Sequence, residues 1–293
     1  MRWVEIAIQA TDDSAEAVSN ILIEEGCGGT AVSTLVNVEQ QTPGDIVGYL
    51  PVDDRLEARL QNIRERVARI PEFGLTLRSD EITIKWVEDE EWATAWKKFF
   101  KPLKIGRIVI RPTWEEYNPQ PDELVIDLDP GMAFGTGSHP TTKLCLEALQ
   151  DYIKSGEIVL DMGTGSGILA MAAARLGAAQ VVGLEIDPVA VETAVENVKR
   201  VNLESAVRIE RADCPSAFDG KADIVLANII AKVIIEMAGG LASKVKPGGK
   251  LIASGIVHER SQEVIDALTA AGLTLTEVRK EGDWAALIMT ASR

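Results

Sequence analysis

The sequence predicts an α/β protein whose main body is a seven-stranded, mostly parallel sheet with an antiparallel last strand, preceded by a small α+β domain. Three observations carry that expectation. From residue 158 onward, strand and helix patterns alternate in short, regular units. The last two strand patterns, 273–280 and 284–291, have only Glu281-Gly282-Asp283 between them, too short for a crossover, so they must pair antiparallel. Residues 1–88 follow the order β-α-β-β-α-β, the split βαβ of ferredoxin-like domains.

The totals fit this layout. A chain of 293 residues has room for two domains, and 46% hydrophobic with 26% charged residues is enough to bury a core. No apolar stretch approaches the ~20 residues of a membrane helix, so no membrane partner is expected. Met1-Arg2-Trp3-Val4-Glu5 lacks the apolar core of an export signal. Cys27, Cys145 and Cys214 are odd in number and far from metal-ligand spacing, so neither a disulfide framework nor a metal is expected. Together these point to a reduced, cytoplasmic setting. The formal net charge of −15 repels polyphosphate and steers cationic partners. It counts against direct binding of nucleic acid.

Taken in order, Val4, Ile6 and Ile8 alternate with Trp3, Glu5, Ala7 and Gln9, as in a half-buried strand. Ala17, Val18, Ile21 and Leu22 mark a helix over 14–25 that ends at Gly26. Strand-like runs at 30–38 and 46–50 flank Pro43-Gly44. A charged helix over about 52–70 presents Leu56, Leu60, Ile63 and Val67 on one face, and a strand covers 81–87. No catalytic constellation stands out in residues 1–88, which read as a substrate-recognition domain. Residues 89–105 read as a linker helix, with Trp92, Trp96, Phe99 and Phe100 at helical spacing; the catalytic domain is then expected over 106–293. Charge inverts locally, with six basic and two acidic residues in 90–111.

Strands at 107–111 and 124–128 lead into the loop Asp129–Thr142, D-P-G-M-A-F-G-T-G-S-H-P-T-T, too glycine-rich and polar for an ordinary connection. A helix over 143–152 follows. Next comes V-L-D-M-G-T-G-S-G-I-L-A, residues 159–170: an apolar strand, Asp161, glycines at 163, 165 and 167, and an alanine-rich helix. Glycine tolerates positive φ and lets a ligand approach the main chain, and amides at a helix start favour polar ligands. Roughly twenty residues on, Glu185 closes a second strand, the place where nucleotide-binding α/β sheets hold ribose hydroxyls. Asn228 ends the fourth strand in A-N-I-I-A. It is either a turn former or an acceptor for a target nitrogen. His139 reads as a helix cap, with proton acceptance as the alternative.

Gly165, Gly167 and Ala170 also satisfy the G-x-G-x-x-A form of dinucleotide enzymes, so an oxidoreductase is one alternative and a non-catalytic binding module another. The closing hairpin and the absence of a hydride-site motif weigh against the oxidoreductase. Five α/β units ended by an antiparallel pair is the pattern of class I S-adenosylmethionine-dependent methyltransferases, which are Rossmann-like without being fully parallel.

With A-F-G-T-G-S-H-P-T-T, D-M-G-T-G-S-G-I-L-A and A-N-I-I-A in order, the chain resembles the PrmA family, methyltransferases of ribosomal protein eleven of the large subunit. The glycine turn is generic to class I enzymes; the G-T-G-x-H-P-T-T loop is specific to this family. The resemblance spans the whole chain. It implies methylation of lysine ε-amino and N-terminal α-amino groups of that protein, up to trimethylation, with S-adenosylmethionine as cofactor and the N-terminal domain docking the substrate. A monomer is expected. Carried over by position, the cofactor contacts are Thr142, Gly163, Glu185 and Asn228, with Phe134, Gly135 and Gly165 lining the same pocket and Asn228 also at the methyl-transfer end. The ribose acid, often Asp in the family, is Glu185 here.

Overall fold

The computed structural model describes residues 3–11, 14–27, 30–32, 46–53, 55–73, 75–87, 100–129 and 137–292. Phe134 and Gly135, the Pro43-Gly44 turn, the end of the 30–38 strand and Trp92, Trp96 and Phe99 of the expected linker helix lie outside them. The chain divides into two compact units. One lies within residues up to Lys101; the other is built from Pro102–Asp129 and the described residues after 136. Among the described residues no helix is long and apolar enough to cross a membrane.

The first unit is a four-stranded antiparallel sheet in the order β2-β3-β1-β4, made of β1 (Trp3–Ala10), β2 (Thr30–Val32), β3 (Ile46–Pro51) and β4 (Leu77–Val87). Helices α1 (Ala15–Glu24) and α2 (Leu56–Ala68) pack with it. The period-two reading of β1 holds: Val4, Ile6 and Ile8 are fully buried in one core with Val18, Leu22, Ile63 and Val67. Helix α2 is shorter than the 52–70 expectation. At its start Asp53 Oδ1 accepts the Arg55 N–H at 2.9 Å, holding a turn in place of helix. At its end a 3-10 turn over Ile70–Phe73 carries Pro71, which cannot donate to a helical ladder.

In the second unit, β5 (Leu103–Ile105), β6 (Ile108–Arg111) and β7 (Leu124–Asp127) form a small sheet. Strand β5 corrects the sequence expectation that the linker helix runs to 105. Pro102 ends any helix, Gly106 turns the chain at φ 58°, and β5 pairs antiparallel with β6. Gln150 locks that hairpin, accepting the Arg107 N–H at 2.9 Å and donating to the Ile105 carbonyl at 3.1 Å. Sparse helix-spaced aromatics upstream had masked the alternation of Leu103 and Ile105.

The main sheet follows from buried strands that are apolar on both faces. Its strands are β8 (Ile158–Met162), β9 (Gln180–Glu185), β10 (Val207–Arg211), β11 (Ala222–Asn228), β12 (Val245–Val257), β13 (Leu273–Glu281) and β14 (Trp284–Ala291). They lie in the order β10-β9-β8-β11-β12-β14-β13, and only β14 runs antiparallel to its neighbours. Helices α3 (Pro140–Tyr152), α4 (Ile168–Arg175) and α5 (Pro188–Arg200) cover one face; α6 (Ala231–Lys244) and α7 (Ser261–Ala270) cover the other. Val159, Val181 and Ile224 point into the first core and Leu160, Val182 and Val225 into the second. The order reverses at β8, between β9 and β11. Open α/β sheets bind ligands beyond the strand ends at that switch point.

Candidate active site

Three connections meet beyond the carboxyl ends of β8, β9 and β11. The first is the glycine turn, with Gly163, Gly165 and Gly167 all at positive φ. Its amides differ from the sequence expectation that they face a ligand. Gly163 N and Thr164 N both donate to the Leu184 carbonyl, at 2.8 and 3.0 Å, Gly165 N donates to Glu185 Oε2 at 3.0 Å, and Gly167 N donates to Thr164 O at 2.9 Å. Three of these four donors tie the turn to β9 and the fourth closes the turn on itself.

Beneath it Asp161 is fully buried. Oδ2 accepts the Thr164 hydroxyl at 2.6 Å, and Oδ1 has no hydrogen-bond partner. Burial pushes the Asp161 carboxyl up to about 7, the nearby Glu185 charge adds to the rise, and the Thr164 hydroxyl and Ala170 N–H oppose it. A folded-state value above the unfolded one means that the folded protein holds the proton longer. Stability therefore falls as pH rises from about 4 to 7 and is flat above, other groups being equal. Asp161→Asn removes that titration. Ligand-free urea unfolding is expected to show the variant gaining on the parent by a few kcal/mol across this window. A stability difference constant from pH 4 to 8 would contradict it.

Glu185 forms the second connection. Besides the Gly165 amide, its Oε1 accepts the Ile186 and Asp187 amides at 2.9 and 3.1 Å. Asp187 then caps α5 through Val189 N at 3.0 Å.

The third is Asn228, half-buried at the end of β11. Its Nδ2 donates to Thr142 Oγ1 at 3.3 Å, and its Oδ1 is buried without a partner. Two glycines hold the adjoining Ile229 close. A Cβ on Gly163 would overlap the Ile229 side chain, and one on Gly255, at φ 81°, would overlap the Ile229 backbone. Thr142, fully buried, reaches Asn228 from the first turn of α3, whereas the sequence had left it in the loop. The helix starts earlier because His139 caps it, accepting Thr141 N at 3.3 Å and meeting Thr141 Oγ1 at 2.7 Å, and Pro140 fits the first helical position. The His139 ring also meets Trp284 edge-on at 4.8 Å. Strand β14 is antiparallel, so its first residue, Trp284, arrives at the same end of the sheet.

A partnerless acceptor on each of two neighbouring strands, with a carboxylate on a third, suits a ligand rich in N–H and O–H donors. Comparison with known proteins agrees in kind. The family model described as Ribosomal protein L11 methyltransferase (PrmA) matches residues 2–292. A protein of Alkaliphilus oremlandii named Ribosomal protein L11 methyltransferase is 40% identical over 307 residues, 98% of each chain. One of the same name from Geobacillus kaustophilus is 41% identical over 308 residues, 98% of this chain and 99% of its own. The chain belongs to the ribosomal protein L11 methyltransferase family.

A solved member, the ribosomal protein L11 methylase of Lactobacillus delbrueckii subsp. bulgaricus, aligns at TM-score 0.62 and 30% identity, over 66% of this chain and 100% of that one. The strand order with its antiparallel β14 is the class I methyltransferase sheet. Family membership sets aside the dinucleotide-oxidoreductase alternative. Of the residues expected at the site, the structure brings Gly163, Gly165 and Glu185 together in one hydrogen-bonded group and Thr142 with Asn228 in another. Phe134 and Gly135 lie outside the described residues. Sequence reasoning missed Asn197, which donates to the Ser166 carbonyl from α5 at 2.9 Å. A signal existed, since Asn197 is a polar residue on the buried stripe of α5 that holds Ala190, Ala194 and Val198.

Proposed function

We propose that this protein transfers methyl groups from S-adenosylmethionine to amines of ribosomal protein L11. The observation that carries the reading is the partnerless Oδ1 of Asn228 beside the glycine turn, within a chain of this family. When bound, the donor supplies a methyl group made electrophilic by its sulfonium. Glu185 would hold the ribose hydroxyls, Asp161 the donor's ammonium, and Gly163 and Gly165 would let the main chain approach. Thr142 would fix the Asn228 amide.

The acceptor nitrogen has to arrive as the neutral amine, because an ammonium has no lone pair. Asn228 Oδ1, and the carbonyls of Asn228 or Ile229, accept its N–H groups and aim the lone pair along the line of transfer. A neutral amide does this without favouring the ammonium, as a carboxylate would. On this reading the targets are lysine ε-amino and N-terminal α-amino groups, carried to trimethylation. Residues 1–88 dock the substrate, 89–101 connect, 102–293 catalyse, with β5 already part of the catalytic unit, and the monomer works in the cytoplasm. The charge of −15 suits a cationic protein partner over RNA.

Purified protein, methyl-labelled S-adenosylmethionine and unmethylated L11 test this directly. Mass spectrometry is expected to show additions in steps up to three methyls on each modified amine. L11 left unlabelled by protein that binds S-adenosylhomocysteine would sink the substrate assignment.

A further inference from the structure

The donor crevice lies between two connections, β8 to α4 and β9 to α5, so its width depends on whatever ties one to the other. At least four hydrogen bonds do so. Two end on the Leu184 carbonyl and one on Glu185, from Gly165 N. The fourth comes from Asn197, whose Nδ2 donates to the Ser166 carbonyl at 2.9 Å across 31 residues of chain. Asn197 is only 4% exposed, and its amide N–H is committed to the Ser166 carbonyl. One turn earlier on the same helix, Ala194 lies where a Cβ on Gly167 would come within 3.4 Å, so α5 is seated directly against the turn.

The Glu185 tie is the one a ligand disturbs. Its two oxygens already accept three backbone amides, and ribose hydroxyls would compete for the remaining lone pairs. Asn197 is outside that competition.

We propose that Asn197 is a positioning residue for the donor. It holds the Ser166 carbonyl, and with it the Gly165–Gly167 segment, at the spacing that lets Glu185 engage the ribose while still holding the turn. Without Asn197 that buried carbonyl loses its side-chain donor from α5, and the turn shifts to recover a hydrogen bond. The effect falls on donor binding; Asn228 and Thr142 belong to other elements and keep their arrangement.

The proposal rests on the donor reading above, and calorimetric titration with S-adenosylhomocysteine separates the two. Asn197→Ala is expected to raise the Kd of this product, and the KM for the donor, about tenfold, with kcat at saturating donor kept within about threefold. Asn197→Asp, of the same shape but with an acceptor facing the Ser166 carbonyl, is expected to do the same or worse, and it decides the matter if the alanine variant does not fold. Loss of ligand-free thermal stability with an unchanged Kd would reduce Asn197 to a packing residue and overturn the proposal, as would a fall in kcat with KM unaltered. A parent protein that does not bind S-adenosylhomocysteine would refute the donor reading instead.

Discussion

Replacing Asn228 by alanine is expected to lower methyl transfer to L11 by about 100- to 1000-fold, the range seen when one preorganised polar contact to a reacting group is removed. Nothing in the fold should give way. Asn228 is half-buried at a strand end, the hydrogen bond its side chain makes is the 3.3 Å contact to Thr142, and its side-chain oxygen has no protein partner to lose. The defect should lie in kcat, with S-adenosylhomocysteine binding weakened only a few-fold. Asn228→Asp separates orientation from charge. It keeps an acceptor oxygen but surrounds the incoming amine with negative charge, which stabilises the ammonium and removes its lone pair. The aspartate variant should therefore recover activity as pH rises well beyond the range where the parent has levelled off. If the alanine variant kept a tenth or more of parental kcat, Asn228 would not be aiming the nucleophile.

The parts of this fold legible in the sequence were those governed by short-range periodicity. Buried strands such as β8 and β11 announce themselves as apolar runs ending in Asp161 and Asn228, and the three-residue link between β13 and β14 forces antiparallel pairing. Less legible were features decided by a partner distant in sequence. Strand β5 exists because β6 and Gln150 receive it, and three residues are too few to show a period. Thr142 reads as loop although His139 already reads as a cap, because what gives it a place at the site is Asn228, 86 residues on. The direction of the glycine-turn amides was misread for the same reason. Glycine spacing shows that the backbone must bend, but which acceptor each N–H finds depends on Leu184 and Glu185 in the next strand. Roles carried over by motif thus located the right residues while missing part of what those residues do.

Glu185 shows the consequence most sharply. An acid proposed to bind ribose would ordinarily be judged by that ligand alone, yet Glu185 gathers the Gly165, Ile186 and Asp187 amides around one carboxylate. On the proposed reading Glu185→Ala removes the charge-assisted hold on the ribose, and it strands three backbone donors, so the Kd for S-adenosylhomocysteine is expected to rise by about 100-fold or more. Glu185→Asp divides the two duties. A side chain one methylene shorter still reaches the amides one and two residues ahead, as in an Asx turn. It falls short of Gly165, 3.0 Å from the present carboxylate and in another strand connection. An intermediate loss, about tenfold, follows if bracing the turn matters, and none if only the charge does. Comparing the product with its 2′-deoxy analogue isolates the sugar contact: the parent should discriminate between them and Glu185→Ala should not. An alanine variant that binds within threefold of the parent, or still prefers the intact ribose, would mean the sugar is held elsewhere.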